Sequence, residues 1–478
     1  MSDGLIEAMA ERTGHGDSGT RRRGDSHPRV PASPRRRVLP SSFSVQVIWT
    51  FGARLAMVVN SVFAGIVVAR WLGADGVGKL AVINVSVITL VQLGSLGLPS
   101  ANTYFIAKDT NQFRRAAVNS LVFAIIGGGL LAIGLVVITS SRPEWFGVVA
   151  QDLFRIAAIS IPFQLITLIG LNIFLAIGKI REFNLLDVIG QSFVLINALL
   201  ALLILHSGLG TLVILNAAAS VLVSLVVAVM LGTSAQKLNE RDKAWRGDLV
   251  LLKQMIGYGI KSHIAILAGT LIFRADLLVV NHFRGASEAG VYSLASQMAT
   301  LLMMLPAVIA TLLFPRVTAE QDQSGNTTCV VARHTALVML LCCLAAVPFS
   351  LLLPIVYGSV FSDATVQLLI LLPGVFFIGL QSVLVQHFNA MGLPKTVPVF
   401  WAVTLVINLI MVFLLVPRYG ARGAALASTI SYSLISFLMI GYFLVETRRT
   451  LSELFVLRPV EVRSLLGLAF RSRSTVNT

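Results

Sequence analysis

The sequence predicts an all-α membrane protein of about 12 transmembrane helices in two six-helix lobes related by an internal repeat. Three observations predict it: the composition, a succession of apolar segments of membrane-crossing length, and self-similarity between the two halves. Of 478 residues, 56% are hydrophobic and only 12% charged, and the mean hydropathy is +0.84. Soluble domains carry roughly a quarter charged residues, so a water-soluble fold has nowhere to bury this much apolar surface.

Residues 1–43 come first, with Arg21-Arg22-Arg23, Arg35-Arg36-Arg37 and little apolar periodicity, which reads as a disordered basic cytoplasmic tail. No short apolar core opens the chain, so no signal peptide is predicted. The first six helices follow at Val45 to Leu72, Leu80 to Ile106, Ala116 to Thr139, Leu153 to Ile177, Phe183 to Leu205 and Leu209 to Leu231. Together they make an N-terminal lobe over 44–232. Residues 233–253 turn polar (Lys237, Glu240, Arg241, Asp242, Lys243) and read as a linker. The C-terminal lobe over 254–446 holds Ile256 to Phe283, Val291 to Leu313, Ala336 to Tyr357, Val366 to Met391, Val397 to Val416 and Ala424 to Val445. Each run has the roughly 20 apolar residues a helix needs to cross hydrocarbon. Strands of a membrane barrel are shorter and alternate in polarity. The basic tail 447–478 mixes Leu454, Phe455 and Leu465 with Arg458, Arg463 and Arg471, a composition suited to an amphipathic segment on the membrane surface that Pro459 interrupts.

The halves align in order. Phe51-Gly52-Ala53-Arg54 resembles Tyr258-Gly259-Ile260-Lys261, and Gly76-Val77 with Leu80-Ala81 matches Gly290-Val291 with Leu294-Ala295. Pro162 pairs with Pro373, Phe174, Ala176 and Gly178 pair with Phe388, Ala390 and Gly392, and Ile196-Asn197 pairs with Ile407-Asn408. With six helices per half the repeats share one orientation, the parallel arrangement of transporters that hold substrate between two lobes.

The net charge of +15 invites a nucleic-acid reading, but its distribution argues for topology. Loops on the side of the termini hold 27 Lys and Arg, whereas the opposite loops hold six: Arg70, Lys79, Arg142, Arg284, Arg418 and Arg422. Cytoplasmic loops retain basic residues, so both termini are predicted cytoplasmic, in a multi-pass protein of the cytoplasmic (inner) membrane with anionic lipids as neighbours and no nucleic-acid partner. Cys329, Cys342 and Cys343 have no metal-ligand spacing and read as free thiols.

Several motifs carry a family resemblance. Ala69-Arg70-Trp71-Leu72-Gly73 with Gly76 and Gly78, then Leu96-Gly97-Leu98-Pro99-Ser100-Ala101 with Tyr104, resemble the first helical hairpin of the polysaccharide transporter family. Arg274-Ala275-Asp276 with Gly285, Gly290, Tyr292, Ser293 and Ala295 resembles its seventh and eighth helices, and Pro417 with Gly420 and Gly423-Ala424-Ala425-Leu426-Ala427 its final turn. The resemblance implies the superfamily that also holds multidrug extruders and lipid II flippases, with a V-shaped pair of bundles around a central cavity. It implies flipping of isoprenoid-pyrophosphate-linked oligosaccharide by alternating access, in a pathway that also uses a polysaccharide polymerase and chain-length machinery. Lipid II flippases tend to carry two further helices, which leans away from that branch.

A charge deep in a lipid-crossing helix is costly and usually faces a cavity or a partner. Arg54, Lys261 and Arg274 are the candidate substrate-binding residues: Arg grips a pyrophosphate bidentately and Lys offers a point charge. The repeat aligns Arg54 with Lys261 and suggests a cationic pair across the lobes. Arg155 is shallow enough to snorkel. Asp276 lies two residues from Arg274, about 200° around the helix, and is read as either an ion-coupling carboxylate or a structural partner. Pro162, Pro306 and Pro373, together with Pro354, interrupt predicted helices and are candidate hinges. Asn197 and Asn408 read as interhelical hydrogen-bonding residues.

Gly73-Ala74-Asp75-Gly76-Val77-Gly78-Lys79 has phosphate-loop spacing, but Leu80 replaces the magnesium-holding Ser or Thr and the segment follows a membrane helix. Asn326-Thr327-Thr328 spells a glycosylation acceptor on the predicted cytoplasmic side, a coincidence. No catalytic constellation, cofactor motif or metal set appears, and the aqueous loops are too short for a catalytic domain, so a membrane glycosyltransferase or polymerase is disfavoured and the chain is expected not to be an enzyme. A cation-coupled multidrug extruder is the alternative on the same fold. Cavity charge separates the two: a basic cavity suits an anionic glycolipid, an acidic one organic cations.

Overall fold

A computed structural model describes residues 40–147, 149–236, 246–320, 322, 324–392 and 394–456. The predicted tail 1–43 falls outside the described residues up to position 39, the linker 233–253 between 237 and 245, and the C-terminal tail beyond 456. The chain divides into residues 1–45 and 46–478, and every contact below lies within the second unit.

The helices run α1 (Pro40–Gly94), α2 (Leu98–Lys108), α3 (Phe113–Ser141), α4 (Gln151–Ala176), α5 (Ile180–Ala198), α6 (Leu209–Gln236), α7 (Leu249–Arg284), α8 (Ala286–Glu320), α9 (Asn326–Ser350), α10 (Leu353–Tyr357), α11 (Ser362–Ala390), α12 (Thr396–Thr447) and α13 (Leu451–Phe455). Among the described residues, 10 helices are long and apolar enough to span a membrane. Two are double-length. α1, of 55 residues, turns at Gly73 (φ 65°, ψ −175°), and α12, of 52, turns at Gly420 (φ 59°, ψ −142°), backbone that only glycine adopts readily. With those two turns the 10 helices hold the predicted 12 crossings.

The repeat is visible in local geometry. Gly178 and Gly392, aligned by sequence, both have positive φ (73° and 95°), each just past the helix it closes. Asn197 donates to Asn216 Oδ1 at 2.9 Å, and its partner Asn408 donates to Ser431 Oγ at 3.0 Å, so each amide ties its helix to the next crossing. Within each half the most enclosed described span is the one that carries the aligned proline, 50% buried for α4 with Pro162 and 61% for α11 with Pro373. α3, by contrast, exposes Val122, Ile125, Ile126, Leu130, Ile133 and Val137, a stripe three to four residues apart that suits contact with lipid.

Pro162 and Pro373 lie inside the continuous helices α4 and α11, and Pro306 within α8. Pro354 corrects the sequence reading. It stands in the first turn of the short helix α10, where a missing amide costs nothing; the predicted ninth helix has already ended at Ser350.

The end that the charge asymmetry assigns to the cytoplasm is called the inner end below. Two helices that begin there are capped by carboxylates. Asp248 caps α7 by accepting from the Leu251 amide at 3.0 Å, which with Arg115 holds its carboxyl below the ordinary range. Before α9, burial pushes Asp322 up, but bonds from Ser324 and from the Asn326 and Thr327 amides prevail and lower it.

Candidate functional site

The halves touch at both ends. At the outer end a Cβ on Gly78 would lie 1.7 Å from the Ala286 carbonyl oxygen, and one on Gly290 2.0 Å from that of Ala74, so two helix backbones cross with no room for a side chain. Arg70 donates to the Val356 carbonyl at 2.9 Å and to that of Ile355, Asn281 donates to the Phe146 carbonyl at 2.9 Å, and about 18 Å in from the outer turns Gln297 donates to Ser61 at 2.9 Å. At the inner end a Cβ on Gly97 (φ 76°) would lie 2.2 Å from the Gly259 carbonyl oxygen. The Tyr104 and Tyr258 rings stack there at 4.3 Å. Asn119 and Asp248 exchange hydrogen bonds, side-chain amide to backbone carbonyl at 2.7 Å and backbone amide to side-chain oxygen at 2.9 Å, and Arg115 pairs with Asp248 at 3.4 Å.

These contacts fix which face of α7 looks at the N-terminal half. Gly259, His263 and Asn281 all touch or abut it, and at 100° per residue they fall on one stripe, with Thr270 and Arg274 between them. Arg274 therefore lies on the inter-lobe face, about 22 Å beyond Gly259 and about 10 Å short of Asn281 along the axis. It is partly buried and makes no hydrogen bond or ion pair with a described residue. Lys261 stands about 200° from Gly259, on the far side of the helix, and is exposed; the contacts do not bring it to Arg54.

Arg54 occupies the matching face of α1, in register with Ser61 and Gly65, which meet Gln297. It is not alone. Its Nη1 lies 3.2 Å from Asp187 Oδ2 on α5, with the two side chains 37% and 22% exposed. Arg54 sits about 28 Å from the outer turn at Gly73, and Arg274 about 16 Å from the outer turn at Gly285, along their helices. The two arginines thus leave their helices at different depths.

Asp276 points into the C-terminal half. Only 2% exposed, it accepts from the Tyr292 hydroxyl, from Ser428 at 2.8 Å and from the Leu277 amide at 2.8 Å. One carboxylate thereby ties α7 to α8 and α12. Arg274 makes no ion pair with Asp276, although its charge still acts on that carboxylate and on the Tyr432 hydroxyl.

Two residues escaped the sequence reading. Asp187 falls close to the inner end of a predicted helix and passes for a boundary charge, and no sequence signal names it as the partner of Arg54. His263 is 3% exposed, and among the described residues neither ring nitrogen has a well-formed hydrogen bond, although the ring lies near the Leu93 carbonyl. Among the refused motifs, Lys79 forms an ion pair with Asp75 at 2.6 Å within α1, which is no phosphate loop, and Arg155 pairs with Asp152 at 2.9 Å in an exposed position.

The fold and site together define a multi-pass membrane protein built as two repeated helical lobes with basic side chains on the faces that meet. The family model described as polysaccharide biosynthesis protein matches residues 44–321, and the chain belongs to that family. Two curated relatives are similar to it. One is "Probable low-salt glycan biosynthesis flippase Agl15" of Haloferax volcanii, 22% identical over 47% of this chain and 48% of the relative. The other is "Putative O-antigen transporter" of Shigella flexneri, 28% identical over 34% of this chain and 40% of the relative. The matched region thus spans less than half of either relative. Among solved structures, the lipid II flippase MurJ in an inward-closed conformation superposes with a TM-score of 0.69 at 17% identity, over 90% of this chain and 93% of that one, a likeness of fold.

Proposed function

We propose that the protein moves an isoprenoid-pyrophosphate-linked oligosaccharide across the cytoplasmic membrane by alternating access, with both termini in the cytoplasm, and that it does so without catalysing a covalent reaction. The observation that carries this reading is the placement of Arg54 and Arg274 on the two faces that meet between the lobes. A pyrophosphate headgroup concentrates charge that guanidinium groups bind bidentately, and two such groups at different depths offer successive stations along one path. The names of the relatives point the same way, to glycan flipping and O-antigen transport.

The contacts at the two ends support the alternating part. Glycine-backed crossings at the outer and inner ends can each part without breaking a helix, and Pro162, Pro306 and Pro373 lie in helices that would bend. Asp276 acts in this account as an internal tie of the C-terminal lobe. Lys261, exposed on the far side of α7, serves the inner surface. A polymerase and chain-length proteins are the expected recipients of the flipped product.

Arg54→Ala is expected to abolish surface polysaccharide while leaving the protein level unchanged. Normal export in that variant would remove Arg54 from the mechanism. Export of organic cations by the wild type, with no effect on glycan, would favour the multidrug reading.

A further inference from the structure

Resting on the function proposed above, we infer that Asp187 is an internal competitor for the substrate's pyrophosphate: it occupies the Arg54 guanidinium when the site is empty and displaces the headgroup from this inner station as it moves on toward Arg274.

The geometry is that of a pair built to be displaced. Arg54 offers five N–H donors, yet Asp187 engages through one oxygen on Nη1 at 3.2 Å. Charge-assisted bonds between such groups are usually about 2.7–2.9 Å, and strong Arg–carboxylate pairs are bidentate. Among the described residues the Nη1 atom otherwise meets only the Met57 sulfur, at 4.0 Å, and the rest of the guanidinium makes no hydrogen bond with them. The side chain is 37% exposed.

The seam between α1 and α5 does not depend on this pair. Asn184 donates to Thr50 at 2.9 Å and Asn60 donates to Ser192 at 2.8 Å, one bond on each side of it along α1. The ion pair is thus the middle of three polar contacts, and the outer two hold α1 against α5 when Arg54 turns to a ligand.

Exchange has a consequence for turnover. A pyrophosphate offers more oxygens and more charge than a carboxylate and wins the guanidinium when present. The tethered carboxylate recaptures it as soon as the headgroup loosens, which shortens residence. The empty site is also electrically balanced, so its return across the membrane field moves less charge.

The test uses the full-length protein purified into lipid nanodiscs, with farnesyl pyrophosphate as the binding probe. Translocation is read in vesicles with an NBD-labelled undecaprenyl-pyrophosphate disaccharide. Asp187→Asn is expected to bind farnesyl pyrophosphate about fivefold more tightly, the size expected of a half-exposed ion pair, through slower dissociation, and to translocate the disaccharide more slowly. Asp187→Glu restores both values, and Arg54→Gln binds weakly whether or not Asp187 is present. Equal or weaker binding by Asp187→Asn would overturn the inference, since Asp187 would then orient Arg54 for the ligand. Should that variant fail to fold, the Asp187→Ser variant carries the same expectation and the same refutation. Absence of farnesyl pyrophosphate binding by the wild type itself would overturn the function proposed above and this inference with it.

Discussion

Substituting Gly97 by Ala tests whether the inner crossing is a moving contact. A Cβ there would lie 2.2 Å from the Gly259 carbonyl oxygen and 2.8 Å from its Cα. Ordinary contact needs about 3.4 Å or more, so α2 and α7 must part by about 1 Å. Such overpacking costs about 1–3 kcal/mol in a closed arrangement, and the positive φ of 76° adds about 1–2 kcal/mol of local strain. Only the first cost is relieved by opening, and 1.4 kcal/mol is about tenfold in an equilibrium. The variant is therefore expected to shift the inner end toward an open state by about tenfold. Cysteines replacing Tyr104 and Tyr258, whose rings stack at 4.3 Å, report this in a background lacking Cys329, Cys342 and Cys343. Their cross-linking yield falls in Gly97→Ala. Folded Gly97→Ala protein that cross-links as readily as its parent would refute the idea that the crossing opens.

Gly78→Ala, whose Cβ would lie 1.7 Å from the Ala286 oxygen, is expected to open the outer end and to raise thiol labelling of a cysteine at Gln297. Asp276→Ala strands the Tyr292 and Ser428 hydroxyls and should destabilise the protein by about 3 kcal/mol or more, read as a lower melting temperature in detergent, whereas Asp276→Asn keeps an acceptor and loses less. Because the Asp322 carboxyl is held below its ordinary 3.8, its stabilisation of the α9 start is present above about pH 4 and lost as pH falls through the lowered value. Hydrogen exchange in the first turn of α9 should accelerate there in the wild type and show no such acid step in Asp322→Asn.

Much of this architecture was legible in the sequence because hydropathy and repetition are strong signals. The apolar runs marked the crossings, and paired positions such as Asn197 with Asn408 and Gly178 with Gly392 foretold bonds and turns that recur in both halves. Pro354 misled because a proline marks either a kink or a helix start, and only the break after Ser350 decides between them. The alignment of Arg54 with Lys261 placed both at one depth but carried no azimuth. A helix turns 100° per residue, and the contacts of Gly259 and Asn281 were needed to show that Arg274 looks between the lobes while Lys261 looks away. Asp187 and His263 were missed because a polar residue in an apolar run declares neither its neighbours nor its isolation. The three-way tie at Asp276 was half legible: the spacing required it to face away from Arg274, but nothing in the sequence named Tyr292 and Ser428 as its partners.

Movement of a pyrophosphate-linked glycolipid is read by reconstituting the purified protein into vesicles carrying an NBD-labelled undecaprenyl-pyrophosphate disaccharide and measuring the fraction that becomes accessible to dithionite. Protein-dependent loss of fluorescence beyond the outer-leaflet half, absent in Arg54→Ala and in Arg274→Ala, is the predicted result. A plateau at half the signal with folded wild-type protein, or wild-type rates in both arginine variants, would contradict it.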